Sequence, residues 1–526
     1  MKDKIRFLLI ILLALGVVFR FVNLDGRVYW IDEVYTSLRI SGYTQAEVIQ
    51  EVSRGQVIGI EDLQKYQRPS PEKSVIGTVK GLALEEPQIP PLYFILARFW
   101  EQIFGHSPAV TRGFSALISL LAFPCIYWLC LELFQSPLTA GVAMALIAVS
   151  PFQVIYAKEA RNYSLWAVII LLSSWALLRA IRVNKRLNWL VYGTTVALGF
   201  YAHLFFALVA IAHGIYVLAI QRFRWSKIVT AYLLASLAGL LAFTPWILIV
   251  INYSSSVTNT TGWQSQRKSL LSLITTWVGN ISRAFLDLGV NSYASATYLI
   301  PLSVLILIIV ALVIYSVYFL CKNTPLRVWL FVVLLIAVPA LALILPDLIV
   351  GGYRSAMSRY LMPCQLGIHL AVAYLLSTKI TSSFARSWEQ KLWQVSAMVL
   401  FSCAVVSCTV SSQAETWWNM AYGYQVSPVA GIINKATQPL VVSELSGNNL
   451  GNLLALSYRL KEPVRFQLLD KPPLPQISKG FNEMFLYGNS GNWIARLEKE
   501  QNFKREPIYK DKRDNEIWLW KLVKKS

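Results

Sequence analysis

Long apolar runs alternate with short charged connections along most of this chain. Runs long enough to span a bilayer fall at 7–22, 112–134, 137–156, 163–181, 188–201, 204–220, 228–250, 298–320, 328–345, 360–378 and 392–412. They predict about eleven transmembrane helices, since a helix of about 20 apolar residues crosses the hydrocarbon layer. One further stretch, 91–104, is ambiguous because Arg98 and Glu101 break its apolar face. Charge bias arbitrates. If 91–104 does not cross, the N-terminus and the even-numbered connections share a side. They hold Lys2, Lys4, Arg6, Arg179, Arg182, Lys185, Arg186, Arg222, Arg224, Lys227, Lys322, Arg327, Lys379, Arg386 and Lys391, whereas the opposite short loops hold only Lys158, Arg161, Arg354 and Arg359. Cytoplasmic loops carry the excess of Lys and Arg. The stretch 91–104 is therefore predicted to be an interfacial helix, with Trp100 at the headgroup level and the N-terminus cytoplasmic.

That topology leaves 24–111, 152–162, 251–297 and everything after 412 on the outer face. The tail changes character. Turn signals (Ser446-Gly447-Asn448-Asn449, Pro472-Pro473, Gly488-Asn489-Ser490-Gly491) separate short β-rich runs such as Leu440-Val441-Val442 and Ile517-Trp518-Leu519-Trp520. The fold expected is an all-α polytopic membrane domain over 1–412, with 24–111 as a large first outer loop bearing interfacial helices, and a small extracytoplasmic α/β domain over 413–526.

Composition agrees. Of 526 residues, 56% are hydrophobic and only 14% charged, against about a quarter charged in soluble domains. The net charge of +20 would suggest nucleic acid in a soluble protein, but here it reflects basic loops beside anionic lipid; no nucleic-acid partner is implied. Six cysteines lie in or near apolar runs with no CxxC pair, so no disulfide framework or zinc knuckle is indicated. The first run is followed by Asn23-Leu24-Asp25 rather than a small-residue cleavage site, and reads as an uncleaved anchor.

The candidate chemistry gathers on the outer segments. Trp30-Ile31-Asp32-Glu33 places two carboxylates just past the first span. The turn Tyr156-Ala157-Lys158-Glu159-Ala160-Arg161-Asn162-Tyr163 concentrates an acid, two bases and two tyrosines between spans. Charges at a bilayer boundary are costly unless paired or wetted. Gly351-Gly352-Tyr353-Arg354 and Ser358-Arg359-Tyr360-Leu361 put arginines against the prevailing charge rule, where a guanidinium fork suits a lipid phosphate. His203 sits at another outer helix end. His106, His213 and His369 show no metal-site spacing, and no Walker loop or nucleophile elbow is present.

Taken in order, the Trp30–Glu33 loop, Pro87-Gln88-Ile89-Pro90-Pro91-Leu92-Tyr93, Tyr156–Tyr163, Tyr201-Ala202-His203 and Ser358–Leu361 resemble one group over roughly residues 1–380: GT-C fold glycosyltransferases of the protein-mannosyltransferase-like superfamily (family 39, close to the ArnT and Rgt-type bacterial members). Ile89 stands where many relatives have histidine before the paired prolines, a departure that bears on any acceptor or phosphate role of that position. The resemblance implies a GT-C membrane domain in the plasma (inner) membrane, a polyprenyl-phosphate-linked sugar donor, inverting hexosyl or pentosyl transfer, and an acceptor lipid, glycan or protein reached from outside. It assigns Asp32 as general base, Glu33 as its orienting neighbour and Glu159 as the second acid. Lys158, Arg161, Arg354 and Arg359 become candidates for the phosphate, Tyr163 and Tyr360 for the sugar, and His203 for orienting the phosphate. No cofactor is implied; a divalent metal between Asp32 and Glu159 is compatible with the resemblance but not required. Two other classes stay open on the sequence: a transporter or flippase of lipid-linked sugars, and an oligosaccharide polymerase or ligase.

Overall fold

The structure is a computed structural model that describes residues 2–289, 296–381, 387–470, 476–478, 480–488 and 503–524. Arg386, Pro472-Pro473 and Asn489-Ser490-Gly491 lie outside those residues. Each predicted apolar run is helical. Among the described residues, seven helices are long and apolar enough to cross a membrane: Pro108–Phe134, Tyr163–Val183, Lys227–Asn252, Leu299–Asn323, Leu326–Ile349, Ser358–Thr381 and Trp388–Gln413. An eighth crossing results if the bent pair Pro137–Val149 and Pro151–Ala157 counts as one. The remaining predicted spans are helices Lys2–Phe21, Arg186–Ala202 and Phe206–Ile220, the last a shorter apolar helix. The chain is a multi-pass membrane protein.

Two compact units divide the chain. One comprises Met1–Leu24, Glu86–Tyr93 and Arg112–Gln413; the other comprises Asp25–Glu85, Phe94–Thr111 and Ala414–Ser526. On sequence, 24–111 goes with the membrane domain; in the structure most of it packs with the tail.

In the first unit, small residues let helices approach closely. A Cβ at Gly16 would lie 2.6 Å from the Ala148 carbonyl, and one at Gly193 would lie 2.9 Å from that of Ala235; such contacts hold helices together where lipid competes with apolar side chains. The break after Val149 follows from Ser150-Pro151. The Ser150 hydroxyl accepts from the Gln153 N–H, capping a new helix whose first residue is proline. The axis turns by 59°. Proline has no N–H, so the preceding helix loses donors for its last carbonyls. Arg20 supplies them: it donates to Ile147 O at 3.0 Å and Ala148 O at 2.6 Å, with further bonds to Gly16 O and the Ser119 hydroxyl. The Cys408 thiol reaches Val149 O at 3.2 Å, and the Phe152 N–H finds Arg283 O at 3.1 Å. The one arginine inside the first apolar run thus fixes the bend that presents residues 158–163.

The second unit is built on a six-stranded sheet ordered β1-β3-β2-β4-β6-β5, with β1 Arg54–Ile58, β2 Pro439–Glu444, β3 Arg465–Leu469, β4 Glu483–Tyr487, β5 Phe503–Lys510 and β6 Ile517–Lys524. The central β2 runs parallel to β3 and β4, and the outer pairings are antiparallel. Strands β2 and β6 coincide with the β-rich runs read from the sequence. Strand β1 comes from the first outer segment and adds to the tail's sheet. Its sequence, Arg-Gly-Gln-Val-Ile, has neither an apolar run nor clean alternation, and a bulge interrupts its pairing with β3; a partner edge, rather than propensity, makes it a strand.

The helix Leu92–Phe104 turns its charges inward over its Phe94–Phe104 part. Arg98 is buried and donates to the carbonyls of Ile40, Ser70 and Lys73, while Glu101 accepts from the Thr111 hydroxyl at 2.7 Å. Leu96, Phe99, Ile103 and Phe104 are exposed. This is the pattern of a helix lying in an interface. Burial raises the Glu101 carboxyl from 4.5 to about 8, against the lowering effects of Thr111 and Arg98. The folded protein therefore keeps a proton that the unfolded chain releases, and the stability present below pH 4.5 is lost as pH rises to about 8. Glu101→Gln, which preserves an acceptor for Thr111, is expected to raise the melting temperature at pH 8 and leave it unchanged near pH 4.5. A difference independent of pH between variant and parent would contradict this.

Candidate active site

The helix break delivers the turn 158–163 to one end of the membrane-embedded unit. Lys158, Glu159, Arg161, Asn162 and Tyr163 are all buried, Glu159 to 1% exposure. Local bonds fix the turn. The Asn162 amide donates to Ala202 O at 2.7 Å, tying it to the end of the Arg186–Ala202 helix, and the Ser164 hydroxyl donates to Tyr156 O. Tyr93 and Ser115 share a 2.7 Å bond, and the Ser115 hydroxyl approaches Arg161 O at 3.4 Å.

His203 follows immediately. Its ring stacks on Trp166 with centroids 4.0 Å apart and an interplanar angle of 10°, and Tyr163 and Tyr360 stand at 6.5 and 6.4 Å. The Phe205 N–H donates to Nδ1 at 3.1 Å, so in the neutral ring the proton resides on Nε2. Burial lowers the imidazole from 6.5 to about 3, with Arg161 and then Arg359 adding to the shift. His203 is thus a neutral N–H donor within electrostatic range of the Arg161 and Arg359 guanidinium groups. Being depressed, its titration lends stability that is full above pH 6.5 and declines as pH falls toward about 3. His203→Gln is expected to flatten the wild-type loss of thermal stability between pH 6.5 and 4. An unchanged slope in the variant would show that His203 is not held neutral.

From the other side come Ser358–Leu361 and Gln264. The Ser358 and Tyr156 hydroxyls are 2.8 Å apart, and Tyr156 is within electrostatic range of Glu159, Arg359 and Tyr163. Gln264 donates to the Tyr360 hydroxyl at 2.8 Å, and the Arg359 guanidinium lies 5.7 Å from the Tyr360 ring. The structure therefore gathers Glu159, Arg161, Tyr163, His203, Arg359 and Tyr360 from three separate parts of the sequence.

One predicted residue has other surroundings. Arg354 is 3.4 Å from the buried Asp347 carboxylate and 2.8 Å from the Ser265 hydroxyl, while Asp347 also accepts from the Ser355 N–H. This network fixes the 351–357 loop at the end of Leu326–Ile349. Lys158 is within electrostatic range of Cys408, as are Arg20 and Asp287. Three residues escaped the sequence reading: Trp166, stacked on His203, Gln264, bonded to Tyr360, and Arg283, bonded to Asn280 at 2.5 Å and within electrostatic range of Asp287 and Tyr156. The charge-bias argument, applied to 251–297 as it was to the shorter loops, would have raised Arg283. Among the described residues no three His, Cys, Asp or Glu side chains gather as metal ligands would.

Asp32 and Glu33 lie in the second unit, in the first turn of the helix Ile31–Ser41, where the helix dipole favours carboxylates. Their environments differ. Glu33 is fully buried, within electrostatic range of the buried Tyr29, whose hydroxyl is 2.6 Å from that of Ser37. Asp32 is half-buried, and its carbonyl accepts from the Thr36 hydroxyl.

Crystal structures of ArnT from Cupriavidus metallidurans share this architecture. The apo form is 12% identical and matches 98% of this chain and 97% of that chain with a TM-score of 0.55. The form bound to undecaprenyl phosphate is 11% identical, matching 97% of each chain at 0.51. The chain has the GT-C glycosyltransferase fold. At such low identity the likeness concerns the fold alone. The sequence profile of the dolichyl-phosphate-mannose-protein mannosyltransferase family also matches, over residues 88–249. That segment of the GT-C fold contains Lys158–Tyr163 and His203 but neither Asp32 nor Arg359. No curated protein matches the sequence.

Proposed function

We propose that this protein transfers a sugar from a polyprenyl-phosphate-linked donor to an acceptor on the outer face of the plasma (inner) membrane, with inversion. The observation that carries the reading is that Arg161 and Arg359 lie within electrostatic range of neutral His203, and Arg359 and Glu159 within range of Tyr156, which shares a bond with Ser358. Two guanidinium groups and one neutral donor suit a phosphate that gains charge as its bond to the sugar breaks. Because His203 stays neutral, it can donate to phosphate without titrating near pH 7. The profile match and the GT-C fold, seen in an ArnT crystallised with undecaprenyl phosphate, support a lipid-linked donor.

Inversion requires attack by the acceptor hydroxyl on the anomeric carbon, opposite the leaving phosphate. The hydroxyl proton passes to a carboxylate, and the electron pair of the broken C–O bond goes to the phosphate. A phosphate leaves without a general acid, so one carboxylate suffices, unlike the pair in a glycosidase. The family resemblance assigns this base to Asp32, and its half-buried setting suits proton transfer better than that of fully enclosed Glu33. Glu33 then holds the turn in position. Glu159 counterbalances the guanidinium groups, and Tyr163 and Tyr360 face the sugar. Arg354 is assigned to the scaffold of the site, and Lys158 stays a candidate for the phosphate. Charge bias places the N-terminus in the cytoplasm and the Ala414–Ser526 segment outside.

The direct test supplies purified protein in lipid with a synthetic polyprenyl-phosphate sugar and a panel of acceptors. Release of polyprenyl phosphate that depends on acceptor supports the transferase, whereas movement of intact donor across the bilayer with no release would overturn it.

A further inference from the structure

At the opposite end of Tyr163–Val183 from the candidate site, two helices build a polar notch that sugar transfer does not use. Trp128 and Glu132 are one turn apart on Ala122–Phe134. Trp175, Arg179 and Arg182 follow at helical spacing on the facing Tyr163–Val183. The indoles of Trp128 and Trp175 lie 5.7 Å apart, and the Arg179 guanidinium stands 5.9 Å from the Trp175 ring. Glu132, the one acid in the 112–134 run, is nearly enclosed: Arg182 grips it through two bonds of 2.7 and 2.8 Å, and Arg179 adds one of 3.2 Å. Together with Leu131 and Gln135 these residues line a groove of about 610 Å³.

The charges do not cancel. One carboxylate faces two guanidinium groups, leaving a formal charge of +1, and the arginine side chains are 43% and 57% exposed. Each guanidinium has five N–H donors, of which Glu132 engages one from Arg179 and two from Arg182. Exposed cations beside an exposed indole, at the end of a membrane-spanning helix, match the depth and charge of a phospholipid headgroup.

We propose that this groove binds the phosphodiester headgroup of an anionic phospholipid in the inner leaflet, Arg179 and Arg182 meeting the phosphate and Trp128 the glycerol and upper acyl chain. The leaflet assignment rests on the orientation given above; the binding itself does not, and is independent of sugar transfer.

The test measures retention of phosphatidylglycerol against phosphatidylcholine by the purified full-length protein in detergent, using native mass spectrometry. Arg179→Gln leaves the two-bond Arg182–Glu132 pair intact and is expected to weaken phosphatidylglycerol binding by about tenfold, the loss of roughly one charge-assisted hydrogen bond. Glu132→Gln removes the competing internal anion and is expected to strengthen it. Because the two variants change binding in opposite directions, a general loss of folding would not reproduce the pattern. Equal retention of the two lipids by the parent, or unchanged phosphatidylglycerol binding in both variants, would overturn the proposal. So would displacement of the lipid by millimolar inorganic phosphate, which would mark a simple anion site. Reversed topology in a cysteine-accessibility assay would move the site to the outer leaflet and overturn the leaflet assignment alone.

Discussion

Asp32→Asn is expected to lower the rate of sugar transfer by about 10²–10⁴-fold, the range a positioned general base supplies. The substitution changes one atom and removes the basicity. Asparagine is also compatible with the first turn of Ile31–Ser41, so the helix and the buried Glu33 beside it should keep their places. Donor binding is expected to stay near the parent value, because the base acts on the acceptor's proton and not on the phosphate. Single-turnover transfer from purified lipid-linked donor measures this directly, with folding monitored by thermal denaturation. Near-normal turnover in the variant would remove Asp32 from the mechanism. Glu33→Gln makes the contrast. Its side chain is enclosed near Tyr29, so its loss is expected to show first in stability.

Arg359→Ala is expected to reduce kcat/KM by about 10²–10³-fold, comparable with the removal of a donor that stabilises developing negative charge. Arg359 enters the site from the Ser358–Leu361 segment, within electrostatic range of both His203 and Tyr156. Loss of a guanidinium that engages both donor and departing phosphate should lower kcat and weaken inhibition by free polyprenyl phosphate. Arg359→Lys should recover part of the rate, since an ammonium retains the charge but not the planar fork. Arg354→Ala is the control: tied to Asp347 and Ser265, it should affect stability of the 351–357 loop more than product inhibition. If Arg359→Ala binds polyprenyl phosphate as the parent does, phosphate recognition lies elsewhere.

Much of the candidate site was legible because membranes penalise charge. Arg161 and Arg359 stood out as cations on the side that the positive-inside rule leaves poor in them, and Glu159 as an acid within a short turn. Arg354 stood out for the same reason, yet the structure gives it a carboxylate partner seven residues earlier. Charge bias finds a costly residue but does not say whether its compensation is a ligand or the protein itself. Arg283 was missed because a longer loop dilutes the same signal.

The sequence by itself determined the apolar helices, strands β2 and β6 and the polar outer turn, since each depends on local periodicity. The sequence reads 137–156 as one span, whereas the structure breaks it at Ser150-Pro151; Pro245, Pro301 and Pro339 stay inside their helices. Only the tertiary structure decided that Arg20 satisfies the carbonyls freed at that bend, from 128 residues away for Ala148. The same holds for Arg54–Ile58, whose residues have little strand preference and pair because β3 offers an open edge. It also separated the adjacent carboxylates Asp32 and Glu33 into a half-buried and a fully enclosed group. Burial and long-range hydrogen bonding depend on neighbours distant in the chain, and no local pattern encodes them.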